Sequence, residues 1–320
     1  MADLALDILA RDSPHLLHLT IFPSEDVPYA QGIFDNLVGS SPERLYDRSL
    51  STLTHLVELT CTVGMLRDDV LSIVGSLPQL RRFSIYEGGG EPDLYPDEIP
   101  EESFPALRDL GLIKLDAHDA TSLLSMPPLL QNLTHFRLKY LIKNEIDDDN
   151  FDESNPVGPI EDEGEHFVSE ILSFLKSAPK ITHLDLDVMF TSEDETQTDI
   201  ARQELADILS GLQLKTFILM GGHIWNWTQQ PNTLQAIWPN VTVLKIAEQI
   251  TYLGDLICFS HLPSLEYLLL GIVFEKIRTP PEYSSVSPLR TLECSNYNIS
   301  EGELRHIPHS GGYGFQIFKL

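Results

Sequence analysis

Basic residues are scarce in this chain. Lys and Arg number 21 against 48 Asp and Glu, a formal net charge of −27 with His neutral. Binding to a phosphate backbone is driven by clustered Lys and Arg, so a bulk balance this acidic excludes nucleic acid as a general partner. Cysteine is also rare. Cys61, Cys258 and Cys294 are odd in number, widely spaced and without a C-x-x-C or Cys/His ligand spacing. That excludes a disulfide framework or a zinc site and points to a reducing compartment. Long apolar runs are missing: none reaches the ~18 to 20 residues that a membrane span requires. The first ten residues carry Asp3 and Asp7 and no basic stretch, so they do not read as a secretory signal. The expected location is cytoplasmic or nuclear. Motifs that carry a reaction mechanism are absent too, with no G-x-G-x-x-G, no Walker loop, no G-x-S-x-G and no H-E-x-x-H. The chain is therefore expected to be no enzyme, with no catalytic residues, no metal and no cofactor.

What is present is a folding chain with an internal repeat. A hydrophobic fraction of 42% is enough for a sizeable core. One phrase recurs ten times: apolar, two variable residues, apolar, one variable residue, apolar. Its instances are Leu16/Leu19/Ile21, Leu56/Leu59/Cys61, Leu80/Phe83/Ile85, Leu107/Leu110/Leu112, Leu133/Phe136/Leu138, Ile181/Leu184/Leu186, Leu214/Phe217/Leu219, Val241/Leu244/Ile246, Leu265/Leu268/Leu270 and Leu289/Leu292/Cys294. The steps between first positions are 40, 24, 27, 26, 48, 33, 27, 24 and 24 residues. Six of the nine fall in the range of leucine-rich repeats, and the three long steps read as insertions.

A proline often precedes the phrase, as in Leu77-Pro78-Gln79, Phe104-Pro105-Ala106, Ala178-Pro179-Lys180, Trp238-Pro239-Asn240, Leu262-Pro263-Ser264 and Ser287-Pro288. Lacking an N–H, it suits the junction where a helix ends and a strand begins. Between phrases the apolar spacing becomes helical, at Val70, Leu71, Ile73, Val74 and Leu77, at Phe167, Ile171, Leu172, Phe174 and Leu175, and at Ile200, Leu205, Ile208 and Leu209. Each unit then reads as strand, loop and helix. The predicted fold is α/β: one leucine-rich-repeat solenoid over residues 1–320, with a curved parallel sheet on its concave side and helices and irregular loops on its convex side.

These irregular Pro-x-Leu-x-x-Leu-x-Leu repeats, from about residue 10 to 300, resemble the repeat region of fungal F-box/leucine-rich-repeat proteins. Two departures accompany the resemblance. The Asn or Cys of the usual repeat, three residues after the last apolar position, is replaced by Ser24, Gly64, Leu115 and Val273, which predicts irregular turns. The helical F-box module that precedes the repeats in that family is not visible, because the first repeat already begins at Leu16. The resemblance implies the substrate-recognition region of an SCF-type ubiquitin ligase receptor without its F-box, and an SCF adaptor as partner only where an F-box precedes it.

Two insertions are acidic. Residues 144–165 contain ten Asp or Glu in 22 positions and are expected to be a solvated loop. They do not form a calcium loop, since Glu153 stands where glycine is needed and Pro159 where the bidentate Glu belongs. Residues 87–103 are acidic and rich in Gly and Pro, and residues 301–320 are expected to cap the solenoid. Asp185 and Asp187 sit at variable strand positions, where polar residues are ordinary. His306 and His309 lack further ligands, and Trp225, Trp227 and Trp238 read chiefly as core filling.

Strand alternation assigns the candidate site. If the three apolar positions face the core, the residues beside the last two face the concave surface. Over ten repeats these outward positions hold four Lys or Arg and five Asp or Glu, so the sheet face is nearly neutral on a molecule of −27. Two groups stand out as candidates for protein binding: Arg82, Tyr86, His135, Arg137 and Lys139, basic and aromatic, and an apolar patch of Ile218, Met220, Tyr267 and Leu269 with Val243. The function expected is non-catalytic protein binding through this face. The alternative is an acidic repeat protein that binds basic nuclear proteins in the manner of a histone chaperone.

Overall fold

A computed structural model describes residues 2–21, 49–66, 69–87, 99–142, 170–190, 198–225, 231–274, 288–299 and 316–319. The insertion at 144–165 and residues 88–98 and 300–315 lie outside them, as do His306 and His309. The chain forms two compact units, Met1–Lys139 and Tyr140–Leu320. The fold is an α/β leucine-rich-repeat solenoid with one parallel strand per phrase.

In the first unit these strands are β1 (His18–Thr20), β2 (Glu58–Thr62), β3 (Arg82–Tyr86), β4 (Asp109–Ile113) and β5, which runs His135–Ile142 across the boundary. The second unit contains β6 (His183–Phe190), β8 (Thr216–Met220), β10 (Val243–Tyr252), β11 (Tyr267–Phe274) and β12 (Thr291–Ile299). In all ten repeats the strand opens two residues after the first apolar position of the phrase. The first apolar residue therefore sits in the turn before the strand, and only the second and third alternate within it.

The turn is the same in most repeats. The N–H of Leu80 donates to the carbonyl of Leu77, Leu107 to Phe104, Ile181 to Ala178, Val241 to Trp238 and Leu265 to Leu262, at 3.1 to 3.4 Å. Each is a four-residue turn with proline at its second position, where the fixed φ of the ring is preformed. The proline is thus a turn former more than a helix terminator. Leu16 makes the same bond to Ser13 across Pro14, and Leu56 makes it to Leu53 without a proline. After the turn, two consecutive N–H groups converge on one carbonyl, that of the residue just before the preceding strand. Arg81 and Arg82 donate to Val57, Arg108 and Asp109 to Arg81, and Glu266 and Tyr267 to Thr242. This device belongs to the backbone, so it survives variation in the side chains it carries.

Register follows. Leu59, Phe83, Leu110 and Phe136 are aligned across β2 to β5, and Leu184, Phe217, Leu244, Leu268 and Leu292 across the strands of the second unit. A slip of one residue would turn every one of these side chains to the opposite face. From Leu56 to Leu270 all three apolar positions of all eight phrases are buried, whereas Leu16, Ile21, Leu289 and Leu292 in the first and last repeats are partly exposed. Aromatic pairs fill the core between layers: Phe83 stacks on Phe104 at 6.1 Å between ring centroids, and Phe217 meets Trp238 at 5.3 Å.

The connections supply the second layer. The helix Asp69–Gly75 buries Val70, Leu71 and Val74, and the helix Ala117–Leu124 buries Ala120, Leu123 and Leu124. Asp116 caps the latter, its carboxylate accepting the N–H of Asp119 at 2.7 Å. Residues 170–175 are helical, with Ile171, Leu172 and Leu175 buried. Ile200 corrects one expectation. It belongs to a short strand, β7 (Thr198–Ala201), which pairs in parallel with β9 (Gly222–Trp225), and the helix Arg202–Leu209 starts only after it. The last strand, β13 (Gln316–Lys319), pairs antiparallel with the first four residues of β12.

Candidate functional site

On the first unit the outward residues form three rows across the strands. The row at the strand starts reads His18, Glu58, Arg82, Asp109 and His135, all in register. Glu58 binds both neighbours, taking Arg82 Nη2 at 2.7 Å and lying 2.9 Å from His18 Nδ1. The middle row is small and polar, with Thr20, Thr60, Ser84 and Gly111 leading to Arg137. A Cβ at Gly111 would stand 3.2 Å from Ser84 Oγ, so this floor is already closely packed. The third row reads Thr62, Tyr86, Ile113 and Lys139. Arg82, His135 and Arg137 are exposed, and Tyr86 and Lys139 half-buried. The predicted basic and aromatic group therefore comes together on β3 and β5, flanking β4, with Arg82 tied to Glu58. Glu58 was legible only as one more outward residue; its signal is that it occupies the same phrase position as Arg82 one repeat earlier.

On the second unit the rows read His183, Thr216, Val243, Tyr267 and Thr291, then Asp185, Ile218, Lys245, Leu269 and Glu293. Ile218, Met220, Val243 and Tyr267 are half-buried, as the patch requires. Leu269 is not: it is 6% exposed and cannot serve as a surface anchor. Its register neighbours Lys245 and Glu293 both lean back onto Tyr267, two residues earlier on the same face. The Lys245 ammonium lies 5.1 Å from the centre of the Tyr267 ring, and the Tyr267 hydroxyl donates to Glu293. Two long charged side chains thus stand beside Leu269 in register and are drawn to Tyr267. The patch shrinks to Ile218, Met220 and Val243, beside a tyrosine held in a charged bracket.

Beyond the phrase, β10 departs from the repeat. Its pairing with β11 is regular to Ile246 and resumes at Ile250, so residues 247–249 bulge out of the ladder. Gly271 lies against them, a Cβ there standing 3.1 Å from the Gln249 carbonyl oxygen. Gln249 is buried, and its Oε1 accepts the Ile224 N–H at 2.9 Å. Ser295 donates to the Ala247 carbonyl. Such a bulge re-aims the residue at its tip, here Glu248. Burial pushes Glu248 above the usual carboxylate range and the charge of Asp187 acts the same way, against the Gly221 N–H that the carboxylate accepts.

Reactive chemistry is sparse around these faces. Cys61, Cys258 and Cys294 are free and buried. Burial pushes Cys61 up to about 12 and raises the other two thiols, which keeps them protonated and poor nucleophiles. Among the described residues no group of three or more His, Cys, Asp or Glu is placed to hold a metal ion, and no helix is long and apolar enough to cross a membrane. Trp238 fills core space, as expected of it.

No protein-family model matches the chain, and no curated protein matches it in sequence. Among solved structures it is similar to the crystal structure of an internalin (inlF) from Listeria monocytogenes, with 14% sequence identity and a TM-score of 0.36 over 72% of this chain. The match spans 59% of the internalin chain, less than two thirds of its length.

Proposed function

We propose that the protein is a non-catalytic scaffold that binds a protein partner on the outward face of its strands. The observation that carries this is the composition of the rows. Register stacks outward positions that hold four Lys or Arg against five Asp or Glu, a nearly neutral surface on a chain of −27. An interface needs few uncompensated charges at its centre, and half-buried Tyr, Ile and Met with Arg at hand are the residue types that interfaces favour. The finer reading is the substrate-recognition region of an SCF-type receptor, supported by the repeat phrase. The acidic-chaperone reading draws on the ten acidic residues of 144–165.

A photo-crosslinking residue placed at Ser84 or Thr216, on the outward face, should trap a partner in cell lysate. The same residue at Ser122 or Gln235, on helices, should not. Trapping only from the helices would overturn the reading. Salt separates the two finer versions: capture that disappears between roughly 0.1 and 0.5 M salt favours charge-driven binding of basic proteins, because exposed charges are then screened within a few ångströms.

A further inference from the structure

The turn before each strand sets one side chain of every repeat beside its counterpart in the next, at the position just before the phrase. Gln213 and Asn240 show the reach in the second unit, where Asn240 Nδ2 donates to Gln213 Oε1 at 2.6 Å. In the first two repeats the same position holds histidine, and in the other eight it does not. His15 lies in the turn closed by the Leu16 N–H on the Ser13 carbonyl, and His55 in the turn closed by Leu56 on Leu53. Their rings meet with centres 4.8 Å apart and planes inclined at 55°. His15 is exposed and His55 half-buried.

That spacing is the spacing of a chelating pair. With a metal–nitrogen bond of about 2.0–2.1 Å, each imidazole centre stands roughly 3.2 Å from the metal, and two rings at a square-planar or tetrahedral angle have centres about 4.5–5.2 Å apart. The turn backbones hold both Cα atoms, and the broad χ2 of histidine lets the rings rotate to present a nitrogen. Gln79, at the same position one repeat on, places Nε2 3.4 Å from His55 Nδ1. Turned end for end, this amide would accept the Nδ1–H through Oε1, the outer contact that orients a ligating imidazole and leaves Nε2 its lone pair for the metal.

We infer that His15 and His55 bind a transition-metal ion of the Zn2+, Ni2+ and Cu2+ class, with water completing the coordination, and that the ion staples the first repeat to the second. The first repeat is where a staple has an effect. Its strand β1 has three residues, Leu16 and Ile21 are partly exposed, and its phrase begins 40 residues before the next. A link between positions so distant in sequence removes chain entropy from the opened state. Imidazole selects this class of metal, whereas the many carboxylates of the chain suit Mg2+ and Ca2+. The inference is independent of the scaffold reading.

Isothermal titration calorimetry of the untagged full chain with ZnCl2, NiCl2 and CuCl2 tests it, in buffer with excess Mg2+ to occupy the carboxylates. All three ions should bind, Cu2+ tightest. His15→Ala and His55→Ala should each weaken Zn2+ binding at least tenfold with the circular dichroism spectrum unchanged, and Gln79→Ala severalfold. His118→Ala, which alters an exposed histidine of the same unit, should change nothing. Zn2+ should also slow hydrogen exchange at the amides of β1 at least threefold in the unaltered chain and leave it unchanged in His55→Ala. Zn2+ binding unaffected by both His15→Ala and His55→Ala, an equal loss from His118→Ala, or exchange in β1 indifferent to Zn2+ would each overturn the inference.

Discussion

Gly221 should be the position least tolerant of an added methyl group. It follows β8 with φ +71°, and a Cβ built on it would overlap the carbonyl oxygen of Val188. Two costs combine in Gly221→Ala. The left-handed conformation costs an L-residue about 1–2 kcal/mol. The overlap is backbone against side chain, so no rotamer relieves it. Val188 or Gly221 must move, and Met220 and Asp187, the residues that precede them, are the last aligned pair of β8 and β6. Opening that end leaves a buried carbonyl unpaired, at about 1–3 kcal/mol. The total expected is about 2–5 kcal/mol. Gly211→Ala is the matched control, since the nearest atom to its Cβ is the Ile208 carbonyl oxygen at an ordinary 3.7 Å. It should be neutral or stabilising by up to about 1 kcal/mol through the unfolded chain. Urea unfolding followed by tryptophan fluorescence reports on the right unit, because Trp225, Trp227 and Trp238 all belong to it. A cost for Gly221→Ala within 1 kcal/mol of that for Gly211→Ala would refute the reasoning.

Three further outcomes follow from the same geometry. Leu184→Ala and Leu268→Ala should each cost about 2–5 kcal/mol by leaving a cavity, while Asp185→Ala should cost under about 1 kcal/mol. Comparable losses at adjacent positions in denaturant titrations would break the alternation that places every outward residue. Asp119 lies mostly buried with its pKa pushed up to about 6 by burial first and by neighbouring Asp116 second. Its folded value exceeds the ordinary 3.8, so the fold favours the protonated form and stability falls as pH rises from about 4 to 6. Asp119→Asn should flatten that part of the stability-versus-pH curve and add on the order of 1 kcal/mol at pH 7; an unchanged slope would count against it. Asp116→Ala should remove the helix cap at a cost of about 1 kcal/mol, read as a lower thermal midpoint.

The repeat was fully legible in the sequence. Ten phrases gave ten parallel strands, because a period of two within each phrase and a near-constant phrase length leave one register that buries every apolar position of the eight inner phrases. Insertions of very different length did not disturb it, since they fall outside the phrase and its turn. The outward residues were legible for the same reason, as Arg82, Arg137, Ile218 and Tyr267 show. What each of them touches was not. Tyr267 reads as a free aromatic anchor until Lys245 and Glu293, 22 and 26 residues away in sequence, close on it from neighbouring strands, and Leu269 reads as outward although it is buried. Ile200 reads as helical because apolar spacing alone does not distinguish a helix start from a four-residue strand whose partner, β9, comes 24 residues later. The bulge at 247–249 has no local signature, for the groups that satisfy it, Ile224 N–H and the Ser295 hydroxyl, come from β9 and β12. Sequence period decided which face each side chain takes; only the stacking of distant strands decided which of those side chains remain open to a partner.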